Sequence, residues 1–87
     1  MILQYYRSFR TDYERLPKDT QFLVDKAILL LETNPRHPSL RVKKMKGPKH
    51  VWEGRASISC RFTFEWEDNV ITLRRVGTHD ILKKESS

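Results

Sequence analysis

The segment from position 60 to position 67, CRFTFEWE, constrains the fold more than any other part of the chain, because its apolar and polar side chains alternate. A period of two residues is typical of a β-strand with one face in a core and the other face open. The alternation predicts that Phe62 and Phe64 point into the core. It also places Arg61 on the open face, where its charge avoids the cost of unpaired burial.

A longer helical pattern precedes this strand. Between Lys18 and Thr33, the apolar positions 24, 27, 28 and 31 follow the spacing of one helix face. Asn34-Pro35 ends the helix, since a residue before proline disfavours the helical conformation. A shorter helix is expected from Ser8 to Arg15, before Pro17. The side chains that we expect to be largely buried are those of Phe22, Val24, Ile28, Leu31, Phe62, Phe64 and Leu73.

The remaining segments are strand-like, and turns separate them. Strands are expected at Ile2–Arg7 and Leu40–Lys46, then at Val51–Arg55 and Ile58–Glu67 as two strands or one bent strand, and at Val70–Val76 after a hairpin turn. The 87 residues allow one domain, 1–87, with one modest core. The predicted fold class is α+β, with two N-terminal helices packed on one face of a twisted, mostly antiparallel sheet of about four strands.

Positive charge is concentrated in the middle of the sequence. The fourteen residues from Arg36 to Lys49 contain six Lys and Arg and no acid, and the chain carries a net charge of +6. This favours a polyanionic partner, because lysines at such spacing suit phosphate contacts that position a nucleic acid without reading its bases. A charge run is equally typical of a solvated face without a ligand. The candidate RNA-binding residues are Lys43, Lys44, Lys46, Lys49, His50 and Arg74.

The last strand ends in the sequence Gly77-Thr78-His79. An imidazole exchanges protons near neutral pH, so His79 beside Arg55 and Arg61 favours RNA cleavage by proton transfer. Both His79 and Arg61 also have a non-functional interpretation. His79 is then a surface histidine without a role, and Arg61 is solvated or paired with an acid.

Cysteine content and hydropathy exclude several classes. One cysteine, Cys60, allows neither an internal disulfide nor a multi-cysteine zinc site, and a reduced cytoplasmic location is the simplest expectation. No apolar run approaches the roughly 18 residues of a transmembrane helix. We therefore expect no multi-cysteine metal site and no membrane association.

Four segments together resemble the RelE/ParE toxin superfamily. They are LRVKKMKG at 40–47, VWEGR at 51–55, CRFTF at 60–64 and VGTHDI at 76–81. Each motif is short and degenerate, but their order and spacing are fairly specific. The resemblance extends over nearly the whole chain and is greatest to the histidine-containing branch similar to YafQ and YoeB.

The resemblance implies a toxin of a type II toxin–antitoxin pair that cuts mRNA in the ribosomal A site without a metal or another cofactor. By position, Arg61 matches the family's strand arginine that faces the scissile phosphate, and Arg55 matches the arginine of the family's W-E-x-R strand start. His79 matches the histidine that protonates the leaving 5′-oxygen. Lys43, Lys44 and Lys46 match the basic strand that holds messenger or ribosomal RNA. The implied partners are mRNA on the ribosome and a cognate antitoxin, and the toxin is expected to be monomeric without it.

The chain departs from RelE in ways that leave the general base open. RelE has lysines where this chain has Glu53 and Gly54, and a C-terminal tyrosine that this chain lacks. Glu53 is a candidate base, or else a structural partner of Arg55 or Arg61. Two other functions remain as alternatives: a ParE-like inhibitor of DNA gyrase, which does not need the histidine, and a non-catalytic homologue that binds RNA or an antitoxin.

Overall fold

The computed structural model describes residues 1–47 and 50–85. Their elements, in chain order, are β1 (Ile2–Tyr5), α1 (Arg7–Glu14), α2 (Lys18–Thr33), a 3-10 turn (Pro38–Leu40), β2 (Lys43–Lys44), β3 (Val51–Arg55), β4 (Arg61–Glu67), β5 (Val70–Gly77) and α3 (Ile81–Glu85).

The strands form one sheet of five, in the order β1-β5-β4-β3-β2. Strand β1 runs parallel to β5, and every other neighbouring pair is antiparallel. A tight hairpin joins β4 to β5, and Asp68 takes the left-handed conformation there, with φ of 52°. Asp is one of the few residues besides Gly that tolerates this region of backbone space. The predicted α+β class and the mostly antiparallel sheet are confirmed.

The core lies between one face of the sheet and the two N-terminal helices. Phe62 and Phe64 of β4 are fully buried and cluster with Val24 and Leu31 of α2. Full burial of a side chain of this size contributes about 1.5–3 kcal/mol. The strand register expected from the alternation is therefore confirmed, with Phe62 in the core and Arg61 outside it.

Helix α2 buries a narrower face than its sequence predicts. The burial expected for Phe22 is wrong, because its side chain is 62% exposed, and Ile28 is only half-buried. Phe22 lies two residues before Val24, which is about 200° around the helix axis. The helix covers one side of a single sheet, so a side chain on the opposite side meets solvent, and the Lys26 ammonium lies 5.6 Å from the Phe22 ring centroid.

Two strand expectations also need correction. The segment expected as a strand from Leu40 to Lys46 pairs only at Lys43–Lys44, because the 3-10 turn Pro38–Leu40 buries Leu40 and Arg41 follows with φ of 47°. The sheet has five strands rather than about four, since both β1 and the short β2 join it.

The sequence had indicated that the second face of the sheet is open. In the structure, this face is partly covered. A third helix, α3, lies against β4 and β5 on that face and buries Ile81 and Glu85. Five residues are too few to establish a helical period, so the pattern gave no reason to expect this element.

We expect Gly54→Ala to destabilise the fold by about 1–3 kcal/mol, as overpacking of a well-packed core typically does. A Cβ at position 54 would lie 2.5 Å from Cζ of Phe62, and the fully buried ring has no room to withdraw. Urea unfolding measures the change. Ser59→Ala, at an exposed loop position, is the matched control and should change stability by less than about 0.5 kcal/mol. Equal stability of the two variants would contradict this packing.

We expect Cys60 to react at least ~10²-fold more slowly with a thiol reagent in the folded protein than in guanidinium, which corresponds to an opening free energy of about 2.8 kcal/mol. The residue is 3% exposed, and burial raises the pKa of its thiol, so little thiolate is available. The control is Ile58→Cys, since Ile58 is 91% exposed. That variant should show one fast and one slow thiol; two fast thiols would mean that Cys60 is accessible.

Candidate functional site

Two arginines face each other at one end of the sheet. Arg55, the last residue of β3, is directly opposite Arg61, the first residue of β4, and Arg61 is in turn opposite Gly77, the last residue of β5. Directly opposite residues share one face of a sheet, and like charges there repel. Both side chains are half-buried, and neither has an ion-pair or hydrogen-bond partner among the described residues. The pair is suited to binding an anion.

His79 lies two residues after Gly77, in the turn that joins β5 to α3. Its backbone carbonyl accepts a hydrogen bond from the Leu82 amide at 3.1 Å, which ties the turn to the first part of α3. The imidazole is exposed and has no hydrogen-bond partner in the described part of the chain. The topology therefore brings His79 to the same end of the sheet as the two arginines.

Glu53 lies one row further into the same face. It is 7% exposed, it is opposite Thr63 of β4, and it precedes Arg55 by the two residues that return to one face of a strand. The Lys43 ammonium lies 3.4 Å from Oε1 of Glu53. A buried carboxylate without a partner is costly, so this ion pair accounts for the burial.

Arg74 lies in an ion-pair cluster. Its Nε donates to both carboxylate oxygens of Glu85, at 2.8 and 3.1 Å, and its Nη1 donates to Glu65. Thr63 donates its hydroxyl to the same Glu85 carboxylate at 2.6 Å. The hydrogen bond to Glu85 is the largest cause that raises the pKa of Arg74 above its ordinary value. The hydrogen bond to Glu65 raises it further, and burial opposes the shift.

Arg74 had been expected to contact RNA, but two carboxylates occupy its guanidinium. The sequence pattern indicated neither Glu85 and Glu65 as partners of this arginine nor Thr63 as a donor to Glu85. Glu85 is separated from Arg74 by 11 positions and from Thr63 by 22, so no local spacing announced the cluster.

The basic residues of the central segment lie along the β2 edge of the sheet. Lys43 is opposite Glu53 and Lys44 is opposite Trp52, so the two lysines are directed to opposite faces. Lys46 and His50 are exposed on either side of the β2–β3 connection, whereas Lys49 lies outside the described residues.

The two tryptophans belong to the core side of the sheet. Trp52 and Trp66 have ring centroids 5.1 Å apart and pack against the hydrophobic core. The Arg36 guanidinium covers both rings at 5.4 and 5.0 Å. Such cation–π contacts contribute about 0.5–1 kcal/mol at exposed sites, and they attach the start of the basic segment to the sheet.

The described part of the chain contains neither a metal-binding cluster nor a membrane-spanning helix. Across residues 1–47 and 50–85, no group of three or more His, Cys, Asp and Glu side chains is arranged to hold a metal ion. Over the same residues, none of the helices combines the length and apolar character that crossing a bilayer requires.

No family model matches the sequence, and no curated protein matches it. Solved structures do match. YafQ from E. coli strain BL21(DE3) superimposes with a TM-score of 0.78 at 16% identity, over 92% of this chain and 94% of that chain. A metal-bound toxin from Helicobacter pylori gives 0.76 at 23% identity, over 94% and 98%. The archaeal RelE–RelB complex from Pyrococcus horikoshii OT3 gives 0.70 at 18% identity, over 88% and 92%. The chain therefore has the fold of the RelE/ParE toxin superfamily.

Proposed function

We propose that this chain is the toxin of a type II toxin–antitoxin pair and that it cuts mRNA on the ribosome as a metal-independent endoribonuclease. The observation that carries the proposal is the pair Arg55 and Arg61, half-buried, unpartnered among the described residues, and adjacent to the turn that holds His79. The shared fold supports the toxin class, and the net charge of +6 supports a polyanionic substrate.

The proposed reaction is attack by the 2′-hydroxyl of RNA on the adjacent phosphorus. The new P–O bond forms as the bond to the 5′-oxygen breaks, which yields a cyclic phosphate and a free 5′-hydroxyl. Arg55 and Arg61 neutralise the negative charge that grows on the phosphorane oxygens. Arginine does not release a proton at neutral pH, so the leaving 5′-oxygen requires another acid. His79 is the proposed donor.

The 2′-hydroxyl must lose a proton in the same reaction, and Glu53 is the proposed base. Its carboxylate lies on the face that carries Arg55 and is bound by Lys43, whose ammonium is mostly exposed. A bound phosphate competes for that ammonium. RNA binding would then release a carboxylate that is otherwise neutralised, close to the reacting group.

The exposed Lys43, Lys44, Lys46 and His50 are proposed to hold the RNA backbone along the β2 edge. Lys49, which lies outside the described residues, is proposed from its sequence alone as a further RNA-binding residue. Such contacts position the strand and make affinity fall with salt, while base pairing on the ribosome supplies the register. Arg74 is left out of this set, because its guanidinium is bound by Glu65 and Glu85.

A second proposed partner is an antitoxin that covers the basic face. A ribosome-directed nuclease would poison its own cell, and the Pyrococcus horikoshii relative is a complex of RelE with RelB. We propose that the free toxin is a cytoplasmic monomer and that acidic side chains of the antitoxin neutralise the β2 edge and the Arg55–Arg61 pair.

For His79→Ala we expect a loss of cleavage of about 10²–10⁴-fold, the usual contribution of general acid catalysis, with ribosome binding retained. Arg61→Ala should weaken both cleavage and binding. The measurement is the rate of cleavage of a translated reporter mRNA on purified ribosomes, with cosedimentation as the binding assay. His37→Ala is the matched control, because His37 lies at the 3-10 turn and bonds only locally to Ser39.

Cleavage by His79→Ala at the wild-type rate would remove His79 from the mechanism and transfer the assignment to His50 or Glu53. Wild-type protein that binds ribosomes but never cuts mRNA would instead favour the non-catalytic homologue. Inhibition of purified DNA gyrase without ribosome binding would favour the ParE-like alternative.

Co-expression with the small reading frame adjacent to the gene should give a stable complex that survives purification at physiological salt. Arg55, Arg61, Lys44 and Lys46 have no ion-pair partner among the described residues, and their neutralisation by an acidic partner is the physical reason. Size-exclusion chromatography of the co-expressed proteins tests this. Lys44→Glu should weaken the complex, whereas Lys18→Glu, at the distant start of α2, should not. Recovery of the two proteins separately would count against an antitoxin.

A further inference from the structure

Helix α3 lies on the same sheet face as the candidate site. Its first residue, Ile81, is buried, and its Cγ2 lies 3.0 Å from the point where a Cβ on Gly77 would be. Gly77 is opposite Arg61, so the start of α3 packs beside the row that contains the two arginines. A larger residue at position 77 would push the helix away from the sheet.

The other end of α3 is fixed by a buried carboxylate. Glu85 accepts hydrogen bonds from Thr63 at 2.6 Å and from Nε of Arg74 at 2.8 and 3.1 Å. Thr63 is fully buried and lies two residues beyond Arg61 along β4. The helix therefore runs back over the sheet, from the Arg61 row to the Thr63 row. Removal of one member of a buried, hydrogen-bonded charge pair strands the other, so this attachment is costly to break.

The turn that carries His79 lies between the end of β5 and the first residue of α3. On one side, β5 ends at Gly77 inside the sheet; on the other, Ile81 donates its amide to the Thr78 carbonyl and Leu82 donates to the His79 carbonyl, both at 3.1 Å. The position of the His79 backbone relative to Arg61 therefore depends on how α3 is seated.

We infer that Glu85, acting through Thr63 and Arg74, is a positioning residue that holds α3 on the sheet and thereby keeps His79 beside Arg55 and Arg61. The inference rests on the proposed function and assigns a role to Arg74 that is separate from RNA contact. Catalytic groups must be held close to the productive geometry, and a displacement of about 1 Å can cost ~10²-fold in rate. The exposed His79 imidazole has no hydrogen bond of its own among the described residues, so the position of its backbone determines where it lies.

The test is a double-mutant cycle between Glu85 and His79 in the ribosomal cleavage assay. Glu85→Ala alone should lower kcat about 10- to 100-fold and leave KM nearly unchanged, since the arginines and lysines that hold phosphates stay in place. In a His79→Ala background, Glu85→Ala should cause no further loss, because it acts only through the imidazole. Glu67→Ala, at an exposed acid of β4, is the matched control and should leave kcat unchanged.

Two milder variants keep the test decisive if Glu85→Ala does not fold. Glu85→Gln retains an acceptor for Thr63 but loses the charge that pairs with Arg74, and Thr63→Val removes the hydroxyl with little change of shape. Both should shift the His79 imidazole resonances in NMR spectra and lower kcat by a smaller factor. Unchanged imidazole resonances and unchanged kcat in both variants would overturn the inference.

Failure of the inference is distinguishable from failure of the proposed function. Losses from Glu85→Ala and His79→Ala that multiply would show that Glu85 acts independently of the imidazole, which refutes positioning and leaves catalysis by His79 intact. Wild-type cleavage by His79→Ala, or no cleavage by the wild-type protein, would refute the catalytic proposal and the inference together.

Discussion

The contact between the Phe62 ring and the backbone at Gly54 fixes the geometry on which the site depends. Cζ of the ring lies 2.5 Å from the point where a Cβ on residue 54 would be, so β3 and β4 approach each other in a register that favours glycine at this position. In the same register, Arg55 is opposite Arg61 and Glu53 is opposite Thr63. A slip of β4 by one residue would bring Arg61 into the core and Phe62 and Phe64 to the surface, which is costly on both faces.

The distribution of acids explains why positive charge persists at that end of the sheet. Asp12 of α1 binds Arg75 at 2.8 and 3.0 Å, Glu53 binds Lys43, and both Glu65 and Glu85 bind Arg74. These carboxylates neutralise cations that hold elements together. Arg55 and Arg61 have no such partner in the described structure, so their repulsion is relieved only by solvent or by an anionic ligand.

Sequence patterns predicted the elements whose apolar side chains follow a regular period. The alternation in β4 gave the correct register, and the 3.6-residue spacing gave the observed bounds of α2. The prediction that Phe22 is buried was wrong, because an apolar residue type does not indicate by itself which side of a helix faces the sheet. The pattern also missed α3, a single turn and a half whose position depends on Glu85 meeting Thr63 and Arg74 far away in sequence. Long-range ion pairs have no period, so no local spacing identifies them.

The candidate site stays a prediction, although the structure shows where its residues lie. Arg61 and His79 were singled out by chemistry and order along the chain, and the topology brings their strand ends together. The sequence did not show which of several similar residues bind a carboxylate of the same chain and which do not. Arg74 and Arg61 are both strand arginines, yet one is bound by two carboxylates and the other is not.

The contrast between exposed His79 and the half-buried arginines fits the proposed chemistry. A group that only neutralises charge works best where water is excluded, because its field is less screened there and its orientation is fixed. A group that gives up a proton in each turnover must recover one from solvent, so it needs access to water. At the end of the sheet, the half-buried Arg55 and Arg61 are partly shielded from water, and the turn before α3 leaves His79 exposed. Under the proposed mechanism, α3 connects these two environments. It holds a solvent-exposed imidazole beside two arginines that the strands keep in place.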